Sequence, residues 1–508
     1  MNNSKKIAYN LIIGILSEVL TIVLGVLVPK FILNSYGSET NGLLTSVTQI
    51  YTYIALLESG IGTATVQALY KTESKNDRAA TNRIMAATNK YYHKTGLLYL
   101  LAIALFAFIY PLVIHTDIPK VTVVLVIIFA GLGSVINYFF QGKYFLLLQA
   151  EGKNYIQTSL TMFTNVFKNI AKIILMAAGL GVVFVQAIAM VVSLIQMFYI
   201  TWYIKKHYGW IDLTVEPDFE SISQSKNVLV HQVSGLIFNN TDTLILTVFC
   251  GLKVVSVYSM YTLLFGMIST ALNTFTNSVV FVLGQTFHSD REKYIKMHDC
   301  FELYYMTLVF ALYTVANYFI LPFMKLYVSG VTDINYIDKY LPLMFISTYL
   351  LSCGRKSSNQ VINFANHFKK TQNRSIFESI INIVVSLIAV NYLGIYGVLI
   401  GTIAALLYRT NDMIFYANHK ILNRSVLVTY RRWFINLAIF IVINALSTKI
   451  HLTLNTYAQI FLWCVPYTII TLFVFFSINS LVERSQAVFL LEFAKNKFRS
   501  LNFFTGGN

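Results

Sequence analysis

The chain is divided into fourteen long apolar runs, near 7–33, 43–70, 91–114, 121–148, 157–178, 182–204, 229–249, 254–285, 300–327, 338–366, 375–391, 396–418, 432–450 and 456–479. A helix needs about 17 to 25 apolar residues to cross the hydrocarbon core of a bilayer, and these runs are of that order. In lipid every backbone N–H and C=O must be satisfied within the protein, which leaves helices as the form such runs take. The expected fold is an all-α polytopic membrane protein of about fourteen transmembrane helices. Of the 508 residues, 56% are hydrophobic and 12% charged, so little chain remains for a soluble catalytic domain.

The 38 Lys+Arg outnumber the 22 Asp+Glu, a balance that in a soluble protein would suggest nucleic acid. In a membrane chain it sets topology, and no nucleic-acid partner is expected. Lys5 and Lys6 precede the first run, and the loop 71–90 carries Lys71, Lys75, Arg78, Arg83 and Lys90, whereas alternate turns such as Gly179-Leu180-Gly181 are short. This pattern places both termini in the cytoplasm. The first run is too long for a signal-peptide core and is expected to stay as the first span.

Shifting the chain by about 214 residues lays Tyr36-Gly37 over Cys250-Gly251, and the basic loop after Lys71 over 286–299, the rhythm of a parallel six-plus-six repeat. The expected organisation is a six-helix lobe over 1–204, a cytoplasmic linker over 205–228 and a second six-helix lobe over 229–418. An extra helix pair over 432–479 and a cytoplasmic amphipathic tail over 480–508 follow. Val488, Leu491, Phe498 and Leu501 give that tail a helical apolar stripe for the membrane interface.

Charges inside the spans are the best pointers to function, since each central cation costs about 2.5 to 3.5 kcal/mol on insertion scales unless it faces water or a partner. Lys168 and Lys172, four residues apart in the fifth run, share one helix face. Arg355 and Lys356 interrupt the tenth run and Arg409 the twelfth. Lys168, Lys172, Arg355 and Arg409 are the candidates for an anion-binding cavity. The alternative is structural pairing with Glu18, Glu58, Asp242, Glu378 or Asp412, and Asp412 lies three residues from Arg409. Lys30 and Lys143, near run ends, read as snorkelling side chains. Asp242, Glu378 and Asn382 could supply oxygen ligands for Na+ or H+ coupling, although structural pairing is the stronger reading of these acids.

No catalytic residue, metal centre or cofactor is expected. Cys250, Cys300, Cys353 and Cys464 are far apart, and the nine histidines form no His-x-x-His or His-x-x-x-His pair. No phosphate-cradling Gly-rich loop, Gly-x-Ser-x-Gly elbow or His-Glu-x-x-His helix is present, which excludes the usual route of ATP hydrolysis and favours gradient-driven movement. Asp212, Glu216, Asp218 and Glu220 read as a solvated linker.

Several strings occur together in order. They are Pro29-Lys30-Phe31-Ile32-Leu33-Asn34-Ser35-Tyr36-Gly37, Glu58-Ser59-Gly60-Ile61-Gly62-Thr63-Ala64, Gln149-Ala150-Glu151-Gly152-Lys153-Asn154, and Asn240-Thr241-Asp242-Thr243-Leu244-Ile245-Leu246 with Val257-Tyr258-Ser259. On their order and spacing the chain resembles the polysaccharide-repeat flippases of the multidrug/oligosaccharidyl-lipid/polysaccharide exporter superfamily. The resemblance implies two six-helix lobes around a central cavity plus a C-terminal helix pair, in a bacterial cytoplasmic membrane. It also implies the cargo: an undecaprenyl-diphosphate-linked oligosaccharide, moved from inner to outer leaflet by alternating access for capsule, O-antigen, exopolysaccharide or teichoic-type polymers. Membrane lipids, a polysaccharide polymerase and glycosyltransferases are the implied partners. Asp242, Glu378 and Asn382 loosely resemble the sodium ligands of lipid II flippases in the same superfamily. The rival readings are a multidrug or metabolite exporter of that superfamily and, from another class, a membrane-embedded polymerase or glycosyltransferase. The basic excess within the spans argues against export of cationic drugs.

Overall fold

A computed structural model describes residues 3–505 apart from 59, 224–225 and 451. The chain is all helical: among the described residues there is no strand, as the apolar runs require. The helices are α1 (Asn3–Ile54), α2 (Ile61–Ser74), α3 (Arg78–Val113), α4 (Lys120–Ile136), α5 (Gly142–Ala150), α6 (Asn154–Ala177), α7 (Val182–His207), α8 (Lys226–Phe249) and α9 (Leu252–Ser289). They continue as α10 (Arg291–Tyr327), α11 (Leu341–Gly354), α12 (Lys356–Phe364), α13 (Phe368–Leu393), α14 (Ile395–Phe415), α15 (Leu427–Ser447), α16 (Tyr457–Val482) and α17 (Arg484–Thr505).

Eleven helices among the described residues are long and apolar enough to cross a membrane, against fourteen apolar runs. Three local features account for the difference. The first two runs abut at a kink at Gly37 (φ 79°, ψ 179°), so that Asn3–Ile54 counts as one span, and the second run continues past Ile54 through a short 3-10 turn into α2. The run 338–366 divides at Arg355 into α11 and α12, each too short to span. The run 229–249 becomes α8, whose mean hydropathy is held down by His231, Gln232 and the polar string Asn239-Asn240-Thr241-Asp242. The protein is a multi-pass membrane protein. Its outer surface carries Leu101, Phe108, Leu112, Phe461 and Phe473, an exposure expected where lipid, not water, is the solvent.

Polar caps fix where helices begin. Asp77 accepts from the Ala80 N–H (2.9 Å) at the start of α3, Asp290 from Lys293 N–H (3.0 Å) at α10, and Thr456 from Gln459 N–H (3.3 Å) at α16. Gly37 takes φ 79°, a left-handed conformation that other residues resist, and the next residue, Ser38, donates its N–H to Asp333 (2.8 Å).

By packing, the chain forms two compact units: Met1–Ser259 with Gly330–Ile334, and Met260–Ser329 with Asn335–Asn508. In the first, Leu43, Val47, Tyr99, Ile103, Val123 and Ile127 form the core of α1, α3 and α4. α8 joins this unit through Thr247, whose hydroxyl is 2.9 Å from that of Ser46, and through Thr241, 2.7 Å from the Tyr53 hydroxyl. Backbones meet closely at Gly42, where a Cβ would lie 1.8 Å from the Leu252 carbonyl oxygen. The segment after α7 is strapped down by Tyr208, which donates to Glu151 (2.6 Å) and receives Lys153 (2.8 Å), while Asp212, Glu216 and Glu220 stay exposed.

In the second unit, Tyr261, Phe265, Phe345, Tyr313 and Tyr349 build an aromatic core, with Tyr261 and Phe345 stacked at 5.4 Å. α17 runs to Thr505, and its Val488, Leu490 and Leu491 are exposed. The side chains of Phe498 and Leu501 lie outside the described residues.

Candidate functional site

α6 is built on two unlike faces. At about 100° per residue, positions 165, 168, 169 and 172 fall within an arc of about 100°, and 163, 167, 170 and 174 fall opposite. The second set, Phe163, Phe167, Ile170 and Ile174, is exposed on the apolar exterior. The first set, Asn165, Lys168, Asn169 and Lys172, is partly buried and turned away from it. The helix packs against α1 and α7, which supply the remaining walls.

Lys168 donates through Nζ to Asn165 Oδ1 (2.8 Å), one turn earlier on the same helix. Lys172 donates to Oε1 of the buried Gln186 on α7 (3.2 Å). Both partners are neutral amide oxygens, and among the described residues neither lysine forms an ion pair. An amide oxygen orients an ammonium without cancelling its charge. Two like charges one turn apart in a half-buried site form a locus that gains from binding an anion.

The second unit arranges its central cations differently. Arg355 Nη1 pairs with Glu378 Oε1, and Arg409 lies 3.5 Å from the other oxygen of the same carboxylate. Arg409 also meets Asp412 at 2.7 Å, and Arg374 takes the second Asp412 oxygen. Ser375 accepts from Arg409 at 3.1 Å. Three arginines thus share two carboxylates, leaving an excess of one positive charge. Arg374 was not singled out by the sequence, since it sits at the edge of a run among other basic residues.

The coupling candidates fall in different places. Asp242 belongs to the first unit, where Tyr258 donates to it at 2.9 Å. Glu378 is engaged by two guanidiniums, and Asn382, one turn on, donates to Thr402 (2.9 Å). Lys143 is buried and donates to the Phe139 carbonyl (3.2 Å), and Glu58 accepts from Tyr92 (2.9 Å) and from the Gly62 N–H (3.2 Å).

Sequence reading missed a buried charge network in the second unit. Arg432, 1% exposed, reaches Glu302, 0% exposed, at 2.5 Å, Asp299 at 3.1 Å and Glu483 at 2.7 Å. Arg424 pairs with Asp299 and with Glu302 (2.8 Å), and Arg431 with Glu483 (2.8 Å). Burial pushes the Glu483 carboxyl up, but Arg432 and Arg431 outweigh it and hold the group below the usual carboxylate range. His298, Asp299 and Glu302 bring ligand-type atoms within 4.8 Å of one another, yet guanidiniums already engage both carboxylates, so the set is a salt-bridge hub in its chemistry. The network ties α10, α15 and the α16–α17 junction together. Its sequence signal was the position of every member near one end of a run.

The fold is similar to that of known transporters. The lipid II flippase MurJ in an inward closed conformation matches with a TM-score of 0.68 at 13% identity, covering 92% of this chain and 99% of that one. An inward-facing multidrug resistance MATE family transporter of the MOP superfamily matches with a TM-score of 0.61 at 15% identity, covering 79% and 94%. The Vibrio cholerae MATE transporter VcmN matches at 0.52 and 15%, covering 82% and 99%. The fold is therefore similar to that of the MOP-superfamily transporters. Residues 4–287, more than half of the chain, match the family model described as polysaccharide biosynthesis protein, and the chain belongs to that family. No characterised protein matches it by sequence.

Proposed function

We propose that this protein is a flippase that moves undecaprenyl-diphosphate-linked oligosaccharide from the inner to the outer leaflet of a bacterial cytoplasmic membrane by alternating access. The product would feed assembly of a capsule, O-antigen, exopolysaccharide or teichoic-type polymer. The chain acts as a secondary transporter with no chemical step of its own, with both termini cytoplasmic. The observation that carries the reading is the pair Lys168 and Lys172, held by amide oxygens on the face of α6 opposite its apolar exterior. A diphosphate supplies the compact negative charge that two ammonium groups hold through charge-assisted hydrogen bonds. Arg355 and Arg409, in a cluster that carries a surplus positive charge once Arg374 is included, would act as a second cationic contact, and Asp242 as the candidate for Na+ or H+ coupling. Membership of the polysaccharide biosynthesis family supports the class of cargo. Membrane lipids, a polymerase and glycosyltransferases would be its partners.

The reading is tested in a strain lacking the protein, by measuring lipid-linked saccharides and surface polymer. Complementation by the intact chain clears accumulated undecaprenyl-diphosphate oligosaccharide, and an equally abundant K168A/K172A variant does not. Absence of any accumulated intermediate, with surface polymer retained, contradicts the proposal and favours export of a soluble compound.

A further inference from the structure

A cavity of 520 Å³ lies between α1 and α6 within the first unit, of a size that suits a small ligand. Its polar lining comes from Ser17, Thr21, Thr48, Asn165 and Asn169, and no ionisable side chain lines it. Without a carboxylate, the cavity offers nothing to a cationic ligand. Without a cation, it offers little to a phosphate.

The hydrogen-bonding capacity that remains is specific. Thr21 donates its hydroxyl proton to the Ser17 carbonyl (2.8 Å) and Thr48 to the Leu44 carbonyl (2.7 Å), so each oxygen keeps its capacity as an acceptor. Asn165 Oδ1 is taken by Lys168, which leaves the Asn165 amide N–H groups to donate. Asn169 has no hydrogen-bond partner among the described residues and offers both a donor and an acceptor. Pro29 has no N–H for the carbonyl four residues back, and that residue, Gly25, also lines the cavity. Leu24 and Val166 supply aliphatic surface beside these groups. Alternating donors and acceptors next to apolar patches is the complement of a sugar ring, which presents hydroxyls at its rim and C–H groups on its faces.

We propose that this cavity is a saccharide subsite that takes the first uncharged sugar ring of the cargo, the one next to the diphosphate. The assignment rests on the flippase reading above. Asn165 belongs to both sites, since it lines the cavity and orients Lys168, and Asn169 lies on the same arc of α6 as Lys168 and Lys172. A diphosphate held at the two ammonium groups therefore has its attached sugar directed along that face into the cavity.

The test uses the full-length protein in lipid nanodiscs and two probes, undecaprenyl diphosphate and undecaprenyl diphosphate carrying one N-acetylglucosamine. Titration is followed by native mass spectrometry. The sugar-bearing lipid is expected to bind the wild-type chain about tenfold more tightly than undecaprenyl diphosphate, the effect of one or two net hydrogen bonds. N169L and, independently, T21V are expected to collapse that ratio toward one, while K168A/K172A weakens both lipids. Two variants on different helices guard against the failure of either one to fold. Equal affinity of the wild type for the two lipids, or a ratio that survives N169L and T21V, overturns the subsite alone. Binding of neither lipid overturns the diphosphate site at the α6 lysines as well.

Discussion

Lys172 Nζ on α6 lies 3.2 Å from Gln186 Oε1 on α7, so this half-buried amine is oriented by a neutral amide and not by a carboxylate. Gln186→Glu places a carboxylate of nearly the same shape at that distance. The variant is predicted to fold with an unchanged or raised thermal midpoint, because it gains an ion pair. Its affinity for undecaprenyl-diphosphate lipids is predicted to fall by about tenfold or more, since a charge-assisted contact is worth about 1.5 to 3 kcal/mol. Lipid titration and thermal unfolding in the same nanodisc preparation separate the two effects. Equal affinity for Q186E and wild type would speak against an anion at Lys172.

The Arg432–Glu302 pair is a matter of stability. Glu302→Gln leaves Arg432, 1% exposed, with one charged partner fewer, and breaking a buried pair costs about 3 to 5 kcal/mol. The predicted result is a marked drop in thermal midpoint and in extractable monodisperse protein. The double variant E302L/R432M removes both charges and is expected to recover part of that loss. No recovery would mean that the remaining members, Asp299 and Glu483, depend on Arg432 for their own pairing.

Steric predictions divide the glycines. A Cβ at Gly42 meets the Leu252 carbonyl oxygen at 1.8 Å, a backbone atom that cannot swing aside. G42A is expected to abolish recovery of folded protein by gel filtration. G14A, where a Cβ has nothing within 4 Å, is expected to be neutral or stabilising by up to about 1 kcal/mol.

Asp338, in the loop before α11, makes a pH-dependent contribution. Burial pushes its carboxyl up, but the Tyr396 hydroxyl and the backbone N–H groups of Tyr340 (2.7 Å) and Leu341 (3.1 Å) outweigh this and hold it below its ordinary value. A carboxyl depressed in the folded state stabilises the fold above its unfolded pKa, about 3.9, and loses that contribution as pH falls through the lower folded value. D338N is therefore expected to lower the thermal midpoint at pH 7, with the difference from wild type shrinking below about pH 4. A difference that persisted unchanged into acid would contradict this account.

Local periodicity made part of this legible in the sequence. The four-residue spacing of Lys168 and Lys172 places them on one face of any helix, and Phe163, Phe167, Ile170 and Ile174 around them mark the opposite face. The neutral partner Gln186 was not legible, because an amide on the next helix has no sequence signature and the contact depends on how α6 and α7 pack. Arg409 and Asp412 are three residues apart, so that pairing was open to inspection, whereas Arg355–Glu378 joins residues 23 apart on separate helices. Run counting reached the helical class but not the helix boundaries. Gly37 takes non-helical dihedrals between two helical segments that abut, and Arg355 interrupts a helix that the apolar pattern would carry through. The Arg432 network escaped notice because its members lie up to 184 residues apart and each, taken singly, resembles an ordinary interfacial charge.

The most direct measurement of the central claim is leaflet exchange by the purified protein. Proteoliposomes carrying a fluorophore-labelled undecaprenyl-diphosphate oligosaccharide are exposed to a membrane-impermeant quencher, and the rate at which inner-leaflet label becomes accessible is followed. The wild-type chain is predicted to raise that rate well above protein-free vesicles, and K168A/K172A, reconstituted at equal density, to lower it by at least about tenfold. A wild-type rate equal to that of empty vesicles, across imposed sodium and proton gradients, would contradict the flippase reading. A double variant as fast as the wild type would contradict the role of the two lysines.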